Sequence, residues 1–207
     1  MLKVLGKSPS INVRKVLWTC VELGLPFEHE EWGLGFRDTQ TPEFTALNPN
    51  AMVPVIVDGD FVLWESNTIC RYLVQRAGRT DLLPGDAAGR ARVEQWMDWQ
   101  ATELNNSWRY AFMGLVRHSP LHADASALAA SVAEFNRHMA MLDAQLARTG
   151  AYVTGTHFTL ADVVLGLSTH RWHSLPVARP ALPAVAAYYE RLSARPGFLR
   201  HGRNGQP

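Results

Sequence analysis

The chain has 207 residues, a formal net charge of +1 and a charged fraction of 19%, so its charge gives no reason to expect a nucleic acid or an anionic membrane surface as partner. The length suits one or two domains and a sizeable core. There is no apolar leader at the N-terminus and no run long enough to span a bilayer, so a cytoplasmic protein is expected.

Leu2-Lys3-Val4-Leu5 reads as a short strand. Val13, Val16, Leu17, Cys20 and Leu23, three or four apart, read as a helix over 12–24, stopped by Gly24 and Pro26. A strand over 27–30, an irregular segment from Gly33 to Pro42 and a short helix over 43–47 follow. Val55–Val57 and Phe61–Trp64 form a hairpin around Asp58-Gly59, and a helix opens at Ser66 and runs to about Arg76. This order implies a small mixed sheet with helices on its faces. From Ala77 to Ala88 the composition shifts to Gly, Asp and Pro. Beyond it only helical periodicity is read: one helix over 90–117, closed by Pro120, then 123–148, then Thr159 to before Pro176, then 183–194, stopped by Pro196-Gly197. The expected division is 1–78, a linker over 79–88, and an all-helical domain over 89–207.

Cys20 and Cys70 lie on apolar helix stripes and form no C-x-x-C pair. They read as buried inert thiols, and neither a redox dithiol nor a metal site is expected. The seven tryptophans are mostly core, with some available to line an apolar cleft.

Three places carry candidate chemistry. Ser10 and Asn12 stand at the mouth of the first helix, where unpaired N–H groups and the helix dipole favour an anion, a thiolate included. By spacing alone they read first as a cap and its neighbour. No G-x-S-x-G elbow surrounds Ser10, so a serine nucleophile is disfavoured. Val53-Pro54 precedes a strand. An X-Pro bond here admits the cis form, which would leave the Val53 backbone free to pair with a peptide ligand, or it is an ordinary strand entry. Glu65-Ser66 opens a helix. Ser66 reads as its N-cap, and the pair suits the ammonium and carboxylate of an α-amino acid head group. Thr159-Leu160-Ala161-Asp162 reads as a structural capping box.

Taken in order, these segments resemble the cytosolic glutathione transferases over almost the whole chain. Ser10-Ile11-Asn12-Val13-Arg14-Lys15-Val16-Leu17-Trp18 is similar to the activating segment of bacterial members. Asn48-Pro49-Asn50-Ala51-Met52-Val53-Pro54, with Asp58-Gly59 and Glu65-Ser66-Asn67-Thr68-Ile69, is similar to the glutathione-binding stretch. Phe158-Thr159-Leu160-Ala161-Asp162 is similar to the capping box of the helical domain.

The resemblance implies a thioredoxin-like α/β N-terminal domain, an all-α bundle and a homodimer, with glutathione as co-substrate and a hydrophobic electrophile as second substrate. Ser10 would donate to the glutathione sulfur, with Asn12 assisting. Val53 beside a cis Pro54 would pair with the cysteinyl unit, and Glu65 and Ser66 would hold the γ-glutamyl end. Met52 stands where many relatives carry Gly, Lys or Arg. Thr39 stands where relatives show His or Gln, and Arg37 beside it is the candidate for the glycyl carboxylate, against its plainer reading as a solvated charge. Trp108, Arg109 and Phe112 are candidates for the electrophile site, against their reading as core. Asp98 is a candidate to reach across a dimer. The reaction expected is conjugation of an alkyl or aryl group; the rivals are a glutathione-dependent disulfide reductase and a non-catalytic binding protein.

Overall fold

Four short strands, β1 (Leu2–Leu5), β2 (Phe27–Glu30), β3 (Val55–Asp58) and β4 (Phe61–Trp64), make one sheet in the order β2-β1-β3-β4. The computed structural model describes residues 1–207. β1 runs parallel to β2 because α1 (Ile11–Leu23) carries the chain across the sheet between them. β3 is antiparallel to both β1 and β4, and its hairpin turns through Gly59 and Asp60, with Asp58 opposite Phe61. Strand alternation sorts the sheet into two faces. Leu2, Val4 and Ile56 join the main core with α1 and α3 (Ser66–Arg76). Leu5 and Val55 point the other way, onto Trp32 and onto Phe44 of α2 (Pro42–Leu47).

The remainder is helical. α4 (Ala87–Trp99) starts on Asp86, whose carboxylate accepts from Gly89 N–H at 2.8 Å. The single helix expected over 90–117 is interrupted: Gln100–Leu104 is a π-helical turn closed by Asn105 N–H on the Gln100 carbonyl, and α5 (Asn105–Leu115) continues from it. A 3₁₀ turn at Pro120–His122 follows. α6 (Ala125–Thr149), α7 (Leu160–Ser174) and α8 (Pro183–Leu192) come next. Pro196-Gly197 was expected to end the chain's helices; instead Pro196 opens one more, α9 (Pro196–His201). Proline fits a first helical turn, where its missing N–H has no partner to lose.

α7 is the axis of the bundle, buried at every residue from Leu160 to Trp172. Its start is fixed by Asp162, which is fully buried. The Asp162 carboxylate accepts from Thr159 N–H at 2.8 Å and from Val153 N–H at 3.0 Å. The Tyr188 hydroxyl also donates to it, at 3.1 Å. Burial still pushes the carboxyl up to about 6. α1 joins sheet and bundle. Its Trp18, wholly buried, packs on Phe158 and Phe198 with ring centroids 5.8 and 5.1 Å away. Gly197 lies so close that a Cβ there would meet Trp18 Cδ1 at 2.3 Å. Cys20 and Cys70 are buried, and burial pushes their thiols up to about 12 and about 11. No helix is long and apolar enough to cross a membrane.

Candidate functional site

β1 ends at Leu5, and Gly6 turns the chain toward α1 at φ +151. Only glycine fits this turn: a Cβ would lie 2.5 Å from Val13 Cγ2 and 2.9 Å from Val53 Cβ. The close approach brings the start of α1 against the Val53-Pro54 segment. Ser10 occupies the N-cap position of α1, yet its hydroxyl makes no capping hydrogen bond. The capping reading therefore holds for the backbone only, and the hydroxyl stays available beside the helix start.

The Val53-Pro54 peptide is cis. The loop before it is pinned by buried Asn48, whose side-chain amide donates to the Met52 carbonyl at 2.8 Å and whose oxygen accepts from Asn50 N–H at 3.0 Å. Glu65 rather than Ser66 is the N-cap of α3, and Ser66 is its first residue. Glu65 sits at φ +74, a conformation that costs an ordinary side chain about 1–3 kcal/mol and recurs at ligand sites. Behind α3, fully buried Lys15 donates to Asn67 Oδ1 at 3.1 Å and to Gln100 Oε1 at 2.7 Å. Burial lowers its ammonium to about 8. Gln100 in turn donates to Ser168 Oγ at 3.0 Å. This chain of bonds ties the start of α3 to α1, the π turn and α7.

Two clefts meet at the start of α1. The first, about 280 Å³, is polar and is lined by Asn12, Asn48, Asn50, Met52, Val53, Pro54, Glu65 and Ser66. The second, about 300 Å³, has Ser10 and Met52 on one wall and Asn105, Trp108, Arg109, Phe112 and Met113 of α5 on the other. Ser10 and Asn12 thus face different clefts, and Met52 borders both. Trp108 and Phe112 are mostly buried, and Arg171 of α7 lies over both rings, 4.3 and 4.0 Å from their centroids. A hollow larger than either, about 670 Å³ between residues 80–84 and 154–159, lies elsewhere and holds none of the candidate glutathione or electrophile residues.

Three candidates lie apart from both clefts. Arg37 is ion-paired to Glu30 at 2.9 Å and Glu43 at 3.4 Å, and is stacked 3.8 Å over the Trp32 ring. Thr39 lies in the same loop and lines neither cleft. Asp98 is exposed and paired with Arg71. Sequence reasoning had not singled out Asn105 and Met113 on the second wall. Their spacing with Trp108, Arg109 and Phe112, at three- and four-residue steps, carried that signal. It had also passed over Lys7, Arg117 and Arg171, which only the tertiary fold brings there. No group of three or more His, Cys, Asp or Glu side chains is gathered as a metal site would need.

A thioredoxin-like sheet with a cis proline ahead of β3, joined to a helical bundle through α1, is the architecture of glutathione transferases. Residues 9–76 match the model for the glutathione S-transferase N-terminal domain, and residues 125–191 match the C-terminal domain. The chain is 36% identical over 202 residues to glutathione S-transferase GstB of Escherichia coli K12, covering 97% of each chain. It is 35% identical to glutathione S-transferase 3 of Zea mays over 96% of this chain and 92% of that one. The theta class glutathione S-transferase of Xanthomonas axonopodis pv. citri, solved with glutathione bound, superposes with a TM-score of 0.92 at 36% identity, covering 100% of this chain and 99% of that one. The protein belongs to the glutathione S-transferase family.

Proposed function

We propose that this glutathione transferase binds its co-substrate glutathione in the polar cleft and directs the thiolate at an electrophile held in the aromatic cleft. The observation that carries this is the uncapped Ser10 hydroxyl in the aromatic cleft, beside Met52, which borders the polar cleft as well. A thiol titrates near about 8.5 and is mostly neutral at pH 7; a helix N-terminus with a hydroxyl donor lowers it. Ser10 donates to the sulfur, and Asn12 stands on the glutathione side of the same helix start. The Val53 backbone pairs with the cysteinyl unit. Glu65 takes the γ-glutamyl ammonium, and the main-chain N–H and hydroxyl of Ser66 donate to its carboxylate. Met52 contributes apolar contact only, and Arg37 and Thr39 have no assigned role. The thiolate then forms a carbon–sulfur bond to the electrophile by substitution or addition, and the rate gain comes from ionisation and proximity.

The domain division at residues 78 and 89, a cytoplasmic location and a homodimer belong to this proposal. Phe61, exposed on the edge strand β4, leaves apolar surface there for a second copy. The test is an ultraviolet titration of thiolate absorbance with glutathione and the purified protein. A bound thiol pKa clearly below that of free glutathione is expected. Binding with an unshifted pKa overturns the thiolate role of Ser10, and absence of binding overturns the reading of the polar cleft.

A further inference from the structure

The aromatic cleft has an unusual charge. Its lining includes Lys7, Arg109, Arg117 and Arg171, and no Asp or Glu. Lys7, Arg109 and Arg117 make no ion pair with any carboxylate of the chain. Arg171 is buried and gives one Nη to the Pro207 oxygen at 3.2 Å, while its Nε–H finds no acceptor on the protein. Trp108, also buried, likewise keeps its indole N–H without a protein acceptor. Neighbouring cations act on one another here: the Arg117 charge lowers Lys7, Arg14 and Arg171 alike, in each case after the larger effect of burial.

The buried Arg171 Nε–H and Trp108 indole N–H are costly unless an acceptor completes them, while Lys7, Arg109 and Arg117 reach solvent and give the mouth of the cleft a positive field with no carboxylate to offset it. The aromatic walls set the body of that acceptor, and the cations set its charge. We propose that the second substrate is an electrophilic arene carrying a carboxylate, its ring between Trp108, Phe112 and Met113 and its anionic group toward Arg117 and Lys7. This rests on the glutathione transferase reading above. The reaction remains balanced: the glutathione sulfur forms the bond to the carbon bearing a halogen, and the halide leaves with the electron pair of the broken bond. The thiol proton has already passed to solvent.

The experiment uses a matched pair, 4-chloro-3-nitrobenzoate and the neutral 4-chloro-3-nitrobenzamide, each with glutathione. Enzymic kcat/KM is divided by the uncatalysed rate constant, because the amide is intrinsically more reactive. Binding of the two corresponding glutathione conjugates is measured by titration of tryptophan fluorescence. A preference of about tenfold for the carboxylate is expected in both readings, shrinking as salt is raised. Arg117→Gln is expected to reduce that ratio several-fold, with thermal unfolding run alongside to check that the variant folds; Lys7→Gln serves as the second variant. Equal preference, a preference unmoved by salt, or glutathione binding with neither conjugate bound overturns the inference while leaving the polar cleft intact. Failure to bind glutathione at all overturns the reading beneath it as well.

Discussion

Asp162→Ala tests whether one carboxylate holds the start of the central helix. The side chain is fully buried, and its oxygens are the acceptors for two main-chain donors, Thr159 N–H and Val153 N–H. The hydroxyls it also receives have other acceptors nearby: Tyr188 reaches the Asp162 carbonyl at 3.3 Å and Thr159 Oγ1 lies 3.4 Å from Thr154 Oγ1. The loss therefore falls on the two N–H groups, at about 1–3 kcal/mol for each buried donor left alone. Part is offset because the carboxylate no longer has to be buried, a cost visible in its pKa of about 6. A net loss of about 3 kcal/mol is expected at pH 7, a sizeable share of a typical stability of about 5–15 kcal/mol. The assay is urea unfolding followed by fluorescence and circular dichroism. With a slope of about 2 kcal/mol/M, the midpoint falls by roughly 1.5 M. Asp162→Asn turns an amide donor toward one of the same N–H groups and is expected to fare little better. A loss under about 1 kcal/mol for Ala, or wild-type stability for Asn, would refute the reasoning.

Ser10→Ala should lower kcat about ten- to a hundredfold while leaving glutathione affinity within about twofold, since the hydroxyl acts on the thiolate and not on the peptide; equal loss of both, by steady-state kinetics and calorimetry, removes the donor role. Glu65→Gln should weaken glutathione binding about tenfold or more through the lost ion pair, and unchanged affinity removes Glu65 from the site. Gly197→Ala should cost about 1–3 kcal/mol, because its methyl would meet Trp18 at 2.3 Å; an unshifted melting temperature counts against that packing. Stability should fall on acidification from pH 6 to 4.5. Burial holds His170 and His201 at about 4, below their ordinary 6.5, so the unfolded chain takes up two protons that the folded chain refuses. Asp162, raised to about 6, works the other way by one proton. Burial lowers His173 too and adds to the fall, so the net is at least about one proton, or roughly 1.4 kcal/mol per pH unit, and unfolding midpoints that stay flat or rise over this range would contradict it.

What could be read from the sequence was local. The helix start at Ser10-Ile11-Asn12, the Val53-Pro54 entry to β3 and the Glu65-Ser66 helix mouth are each coded within a few neighbouring residues. The fold brings most of them to one pair of clefts. The sequence points to Ser66 as the cap of α3, one position past Glu65, because a cap with positive φ has no marker when the residue is not glycine or asparagine. The π turn went unread because apolar spacing continues through Val93, Met97, Leu104 and Trp108 with only a slip in phase. The start of α9 was ambiguous in kind: Pro-Gly serves as a stop after one helix and as the first turn of another. Lys7, Arg117 and Arg171 come from three distant stretches, and no spacing rule joins them. Arg37 looked available in sequence because its partners, Glu30, Glu43 and Trp32, meet it only in the fold.

The π turn at Gln100–Leu104 amounts to one surplus residue in an otherwise continuous rod. Each residue advances an α-helix by about 100°, so the surplus sets the bearing of everything after it. It aims Gln100 inward at Lys15 and Ser168, while α5 presents Trp108, Arg109 and Phe112 to the cleft. Deleting one residue within the turn would let α4 run straight into α5 and rotate that wall away from Ser10 as a unit, with every side chain chemically intact. For this stretch the number of residues matters as much as their identity. Point substitutions along α5 would adjust the second substrate by degrees, whereas a single-residue change in length would exchange one wall of the cleft for another.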